Sequence, residues 1–413
     1  METYSPVVQK RTIRLLLALS VENSWEVDHA DVVGAYLNSP LDVPIYMERA
    51  PGVHDAEENK VYVWKLKKSV YGLKQAGRNW NLFLHGILSE LGLKQCKNDP
   101  CIHVENSLIL AVYVDDFLMI GLRESIDHLK GELQKYLDVK DLGKVSEFLS
   151  IKINRPSANA MELDQITYVQ ETLREFSMSD CRGMVAPLER GCVKSERNYE
   201  KKFSEKIYRS AVGNLFFLAN TTRADVANAV CIVSQFCEDP LTSDWENVKH
   251  ILQYLKYSEN YKLHFVKTGK PIQIFCDADF ANNSVDFKSI SGYAFILAGG
   301  VISWRSRKQK TVATSTPVAE YVAMYECICE LVWMKGLLEE LGQLKFLPNP
   351  CVVQSDNTAA IDIATNHAIS DRTKHVNVKY HFVRDLVKEG NVILKYVKSE
   401  DNLSDIGYID KTP

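Results

Sequence analysis

The segment LILAVYVDDFLMIG, from Leu108 to Gly121, sets two adjacent carboxylates, Asp115 and Asp116, in a run that is otherwise apolar, aromatic or glycine. An ionised carboxylate leaves water at a high cost unless it is paired or hydrogen-bonded, and a neighbouring acid raises that cost. The apolar flanks are each long enough for a strand, so the pattern predicts two strands joined by a tight turn at the acids. Asp is an ordinary turn residue. Two-residue hairpin loops, however, favour Asn-Gly or Asp-Gly, which reach positive φ, and a second Asp does not meet that need. On pattern alone a plain turn and a metal-holding pair stay equally open. Carboxylates held together for chemistry need a cation, and hard oxygen ligands suit Mg²⁺ with substrate phosphates. Two such ions about 4 Å apart can activate an attacking oxygen and stabilise a leaving one. A further carboxylate is then required. Asp31 is the candidate: it ends an apolar strand, and alternation puts it on the face opposite Asp28.

The remaining composition narrows the partners. A 413-residue chain that is 46% hydrophobic and 25% charged can build two to four cored domains. The net charge of -4 says little by itself. Its distribution says more. Asn59 to Ser89 contains Lys60, Lys65, Lys67, Lys68, Lys74 and Arg78 and no acid. Phe287 to Ala319 contains Lys288, Arg305, Arg307, Lys308 and Lys310, again without acid. Basic runs interleaved with Tyr and Trp favour a polyanionic partner over a merely solvated face. The ten cysteines form no C-x-x-C pair, so free thiols in a reducing compartment are expected. The apolar run at 14–20 is too short for a membrane span and lacks a clear cleavage site, so it reads as a buried helix.

Periodicity predicts helices over 10–23, 76–91, 124–138, 165–177, 204–220, 224–237 and 242–258, with a strand at 25–37 leading into a helix or turn and another strand over 145–153. A polar linker near 267–270 precedes a change of pattern. Beyond it come the strand PIQIFCDADF, a hairpin turning at Gly299-Gly300, and a long helix opened by Thr316-Pro317. The strand CVVQSDN, two helices and the strand NVILKYV complete a small mixed α/β domain.

Tyr113-Val114-Asp115-Asp116 resembles the Y-x-D-D signature of reverse transcriptases. DVVGAYLNSPLDVPIYME, KLKKSVYGLKQAGRNW, AVYVDDFLMIG, DLGKVSEFLSIKI and YRSAVGNLFFLA resemble blocks of the Pol polyprotein of copia-type LTR retrotransposons, in the same order. In the C-terminal region FCDADFA, ISGYAFILAGGVISWRSRKQKTVATS, VAEYVAM, QSDNTAAI, RTKHVNVKYHFVRD and EDNLSDI resemble that family's ribonuclease H domain.

The resemblance implies an α+β multidomain chain. A reverse transcriptase portion with partial fingers and a right-hand palm covers 1–187, a helical thumb- or connection-like region 188–268, and a ribonuclease H-like mixed α/β domain 269–413. It implies a nucleotidyltransferase and an endoribonuclease H using Mg²⁺ or Mn²⁺, two ions per active site. Asp31, Asp115 and Asp116 would be the catalytic metal ligands of the palm. Tyr36 would gate the ribose 2′-hydroxyl, Gln75 would contact the incoming nucleotide, and Lys74 and Arg78 would face nucleic acid. Asp277, Glu320, Asp356 and Asp405 would be the second metal-binding set, with Asp277 preferred to Asp279 and Asp405 to Asp401. Singly, each of those acids reads as structural; Asp356 before Asn357 suits a helix cap and Glu320 a helix first turn. Arg305, Lys308, Arg372, Lys374 and His375 would contact the hybrid.

Implied partners are an RNA template, a DNA primer, an RNA-DNA hybrid and deoxynucleoside triphosphates, with no membrane. The compartment would be the cytoplasm, with the nucleus or virus-like particles as alternatives. Relative to the family pattern the chain starts at METYSPVV, inside the fingers, so incomplete fingers are expected. Gly77, Ser150 and Pro317 also depart from that pattern. Two other readings follow: an inactive remnant that at most binds nucleic acid, and a ribonuclease H only.

Overall fold

The computed structural model describes residues 3–52, 62–189, 191–192, 200–280, 286–365 and 377–404. By contact density it divides into two units, 1–13 with 25–145, and 14–24 with 146–413.

Helix α1 (Lys10–Asn23) runs through the first border as one continuous helix. The rest of the first unit is β1 (Glu26–Val32), α2 (Ala35–Asn38), the short ribbon β2 (Tyr46–Met47) with β3 (Trp64–Lys65), α3 (Ala76–Glu90), β4 (Lys94–Gln95), β5 (Ile102–Glu105), β6 (Leu108–Tyr113), β7 (Asp116–Gly121), α4 (Arg123–Leu133) and β8 (Val139–Lys144). Among the described residues these strands make a six-stranded sheet in the order β4-β5-β6-β7-β1-β8. One of its faces is covered by α3 and α4 through Trp80, Leu84, Ile126 and Leu129, packed on Leu110, Phe117 and Met119. Helix α4 ends at Leu133, five residues short of the expected end, and the chain turns through 134–138.

Strand β1 carries an acid on each face, and the buried one is Asp28. Its carboxylate accepts hydrogen bonds from Arg123 at 2.7 and 2.8 Å and from Lys130 Nζ at 2.5 Å. Burial alone would raise the Asp28 carboxyl, but these two cations outweigh it and hold it below its ordinary range. The network ties α4 to the centre of the sheet.

The second unit takes α1 from Arg14 onward. Arg14 is buried, lies 3.7 Å over the Trp304 ring and donates to the carbonyls of Ile302, Asn220 and Thr221. That environment explains why the apolar N-terminal stretch is a core helix. The unit continues with β9 (Glu147–Phe148), β10 (Ile151–Ser157), β11 (Ala160–Asp164), α5 (Ile166–Glu175), α6 (Glu205–Thr221), α7 (Ala227–Val233), α8 (Thr242–Tyr257) and β12 (Leu263–Val266). The single strand expected over 145–153 is broken, because Leu149 and Ser150 both take positive φ between β9 and β10. The helix expected over 224–237 is likewise broken into α7 with a short 3₁₀ turn at each end. Helices α5 to α8 share one apolar core around Tyr208, Leu215, Val230 and Leu252. Buried Arg223 braces this core, paired with Asp225 at 2.6 Å and bonded to Ser258.

Then come β13 (Gln273–Asp279), β14 (Ile290–Leu297), β15 (Gly300–Lys308), α9 (Thr316–Glu340), β16 (Cys351–Ser355), α10 (Thr358–Thr365), α11 (Asn377–Lys388) and β17 (Val392–Tyr396). The sheet order is β15-β14-β13-β16-β17, antiparallel from β15 to β13 and parallel from β13 to β17. This is the mixed α/β domain expected of the C-terminal region. All ten cysteines are free thiols. Among the described residues no helix is long and apolar enough to cross a membrane.

Removing Asp28 leaves the buried Lys130 with only the more exposed Asp141, at 2.7 Å, as counter-charge. Asp28→Ala is therefore expected to destabilise the chain by about 3 kcal/mol, at the low end for a buried pair because Arg123 stays partly solvated. Because the folded carboxyl lies below its ordinary 3.8, its contribution is complete above that value and is lost as pH falls through the depressed one. Urea titrations of wild type and variant should show a gap in stability that narrows only in acid. A gap constant down to that region would contradict the ion-pair account.

Candidate metal centres

In the first unit the β6–β7 hairpin places its acids by a strained turn. Tyr113 pairs with Asp116, leaving Val114 and Asp115 as the loop. Val114 has φ 56°, a region that costs a β-branched residue about 1–3 kcal/mol. The positive φ that the turn needs thus falls on Val114, whose carbonyl accepts a hydrogen bond from Trp80 Nε1 at 2.7 Å. The Asp115 carbonyl accepts the Val32 amide at 2.8 Å, stitching the turn to β1. On the far strand Asp31 lies directly across from Asp116 in the β1–β7 register, so their side chains share a face. Asp31, Asp115 and Asp116 are all half-buried.

Two residues without an assigned role in the sequence reading hold this pair. Tyr71 donates its hydroxyl to Asp115 Oδ2 at 2.8 Å, and His29 Nε2 lies 2.9 Å from Asp116 Oδ1. Burial raises the Asp115 carboxyl, the charges of Asp31 and Asp116 raise it further, and the Tyr71 hydrogen bond opposes them. Burial and that same hydrogen bond push the Tyr71 phenol up to about 12, so at neutral pH it donates. His29 was legible in principle, since it stands two residues before Asp31 and shares its strand face. Tyr71 was not, because nothing in its local pattern points to a turn 44 residues away.

Tyr36 stacks on Tyr71 with ring centroids 4.6 Å apart, beside the carboxylates. Gln75 is buried at the N-cap of α3, rather than exposed as a plain surface helix start would be. Lys74 is exposed and Arg78 half-buried.

In the second unit three expected acids converge. Asp277 near the end of β13, Glu320 in the second turn of α9 and Asp356 just past β16 each offer an oxygen, and these lie within 4.8 Å of one another. Among the described residues this is the one group of three His, Cys, Asp or Glu side chains that close; Asp31, Asp115 and Asp116 share a region without doing so. Asp279 is outside the group. Parallel pairing of β13 with β16 brings Asp277 and Asp356 to neighbouring strand ends, and α9 packs on β13. Glu320 is 4% exposed, and its Oε2 has no hydrogen-bond partner among the described residues. Burial, reinforced by the charges of Asp277 and Asp356, pushes its carboxyl up to about 9, against a hydrogen bond with the Ala278 backbone. Ser399 donates to Asp356 Oδ2 at 2.6 Å. An orphaned buried oxygen facing two more carboxylates fits a hard divalent cation.

Arg305 is exposed on β15. Lys308 is instead engaged, with Asp286 at 2.8 Å and Gln235 at 2.6 Å. Asp405, Arg372, Lys374 and His375 lie outside the described residues.

Residues 1–190 match the family model described as reverse transcriptase (RNA-dependent DNA polymerase). The chain is similar to the retrovirus-related Pol polyprotein from transposon TNT 1-94 of Nicotiana tabacum, at 36% identity over 98% of this chain and 31% of that protein. It is 33% identical to the corresponding polyprotein from transposon RE1 of Arabidopsis thaliana, over 98% of this chain and 28% of that one. A putative transposon Ty5-1 protein of Saccharomyces cerevisiae is matched over its whole length, 100%, at 31% identity and 73% of this chain. The chain thus spans under a third of the length of the two polyproteins.

The raised Glu320 carboxyl has a measurable consequence. Between its ordinary 4.5 and about 9, the folded chain holds a proton that the unfolded chain has released, so stability falls as pH rises through that window. Glu320→Gln is expected to remove this slope and stabilise the chain at neutral pH, on the order of 2–3 kcal/mol. Added Mg²⁺ should raise the melting temperature of wild type in the alkaline part of the window and leave the variant unmoved. Wild-type melts that are flat with pH would contradict the crowding of the three acids.

Proposed function

The chain belongs to the Pol polyproteins of copia-type LTR retrotransposons, and from that premise we propose that it is an RNA-directed DNA polymerase with ribonuclease H activity. The observation that carries the reading is the closed group Asp277, Glu320 and Asp356, with a buried oxygen left for a cation. The strained turn that sets Asp115 and Asp116 beside Asp31 supports the polymerase half. In this reading 1–187 is the polymerase portion, 188–268 a helical thumb- or connection-like region and 269–413 the ribonuclease H domain.

When bound, two Mg²⁺ or Mn²⁺ ions at each centre would activate the attacking oxygen and neutralise charge at the leaving one. Asp31, Asp115 and Asp116 hold the ions for synthesis. Tyr71 and His29 keep Asp115 and Asp116 in one orientation, so that little rearrangement precedes the reaction. Tyr36, braced on Tyr71, stands where the sugar of an incoming deoxynucleoside triphosphate would lie, and Gln75 begins the adjoining helix. Lys74 and Arg78 offer positive charge to the phosphate backbone of template and primer. In the other unit Asp277, Glu320, Asp356 and Asp405 hold the ions for hydrolysis of RNA in the hybrid, with Arg305, Arg372, Lys374 and His375 along its backbone. Lys308 contributes once released from Asp286.

One observation favours a narrower second reading. Asp277, Glu320 and Asp356 close on one another and the polymerase acids do not, which suits a ribonuclease H alone.

Incubation with a primed RNA template, deoxynucleotides and Mg²⁺ distinguishes the two when primer and RNA lengths are followed together. Asp116→Asn should lower primer extension by more than about 100-fold and leave RNA cleavage unchanged; Glu320→Gln should do the reverse. Cleavage without extension in wild type selects the narrower reading. Neither activity in wild type, or loss of both in either folded variant, would sink the two-centre assignment.

A further inference from the structure

Away from both groups of acids, the first unit packs two tilted imidazoles together, and three of their nitrogens lack a hydrogen-bond partner among the described residues. His103 lies on β5 and is 2% exposed; His85 lies on α3 and is half-buried. Their ring centroids are 5.7 Å apart and the planes are tilted by 40°. Both ring nitrogens of His103 and Nδ1 of His85 are buried and have no hydrogen-bond partner among the described residues. Buried polar atoms are nearly always satisfied, and an exception asks for a missing water or ion. One nitrogen from each ring can share a single ion.

The protonation state suits a metal. Burial pushes His103 down to about 4, with His85 adding to the effect, so its ring is neutral at physiological pH and has a lone pair to offer. The spacing suits it as well. Nitrogen–metal bonds of about 2.0–2.1 Å place the centres of two imidazoles that share one ion roughly 5–6 Å apart, which brackets the observed separation. Nitrogen donors select zinc-class transition ions over Mg²⁺, so Mg²⁺ would not fill this pocket. The donor set is the two imidazoles, with water reaching the remaining positions past the half-exposed His85.

We propose that His85 and His103 form a binding site for one Zn²⁺ ion, bridging α3 to the β4–β5 edge of the first sheet. The site stands apart from the proposed activities and does not depend on them. Zinc immobilises the helix against the strand and satisfies one unpaired nitrogen of each ring.

The test is calorimetric titration of the whole chain with Zn²⁺ in millimolar Mg²⁺, which competes with zinc for the carboxylate groups. One equivalent is expected to bind with micromolar affinity. His103→Phe and His85→Ala should each weaken that binding at least tenfold, and Glu320→Gln should leave it unchanged. His85 is half-exposed on a helix, so its alanine variant decides the matter if His103→Phe fails to fold. Absence of zinc binding in wild type overturns the proposal. So does binding that persists in folded His85→Ala, or that disappears with Glu320→Gln.

Discussion

Carboxylates brought together out of water repel one another with little solvent to screen them, and each unit of this chain is arranged to hold such groups in place. In the second unit the repulsion is expressed directly: Glu320, facing Asp277 and Asp356, has its carboxyl pushed up to about 9. The elements that force it there are a parallel strand pair and a helix packed on one of them. Each strand contributes one acid at or beyond its end, where the ladder stops and the side chains can turn toward a common point. The long, nearly all-round apolar helix α9 anchors the third acid through its other buried positions, among them Ala319, Val322 and Ala323. Apolar packing thus supplies the energy that keeps like charges close.

The first unit meets the same constraint differently. Its acids share the face of an antiparallel pair and sit at a turn held open by Val114 and Trp80. Tyr71 and His29 each take one oxygen of an adjacent carboxylate, so part of the charge is met by hydrogen bonding rather than by crowding. The difference is visible in protonation: Asp115 is raised, but a donor opposes the rise. A hydrogen-bonded pair that does not close and a crowded group that does are two ways to present carboxylates to a cation. The first leaves the other oxygen of each carboxylate to the cation; the second asks a proton to leave.

Much of this was legible because the apolar pattern and the acids disagree with each other. Acids inside apolar strands are conspicuous, so Asp31, Asp115, Asp116 and Asp277 could be picked out, and the hairpin, the long helix and the succession of C-terminal elements along the chain followed from periodicity. What stayed hidden depended on backbone exceptions or on distant partners. Leu149 and Ser150 look like any strand residues, yet their positive φ breaks the strand. Strands β11 and β12 pair across about 100 residues of sequence and carry no turn signal that joins them. Lys308 reads as a free cation until Asp286 folds back onto it.

Helix α9 shows why residue type alone could not finish the task. It buries two glutamates, Glu320 and Glu330, ten residues apart on the same helix. Ser303 donates to Glu330 Oε1 at 2.6 Å, which converts that carboxylate into part of the packing between helix and sheet. Glu320 keeps an oxygen without a donor and meets two acids instead. Both side chains are almost fully buried, and both sit among apolar neighbours in sequence. The distinction lies in what the opposite element presents, a hydroxyl from β15 or carboxylates from the ends of β13 and β16. A buried acid is therefore informative only together with its partners. A donor makes it structural; further acids make it a place where a cation lowers the free energy of the fold.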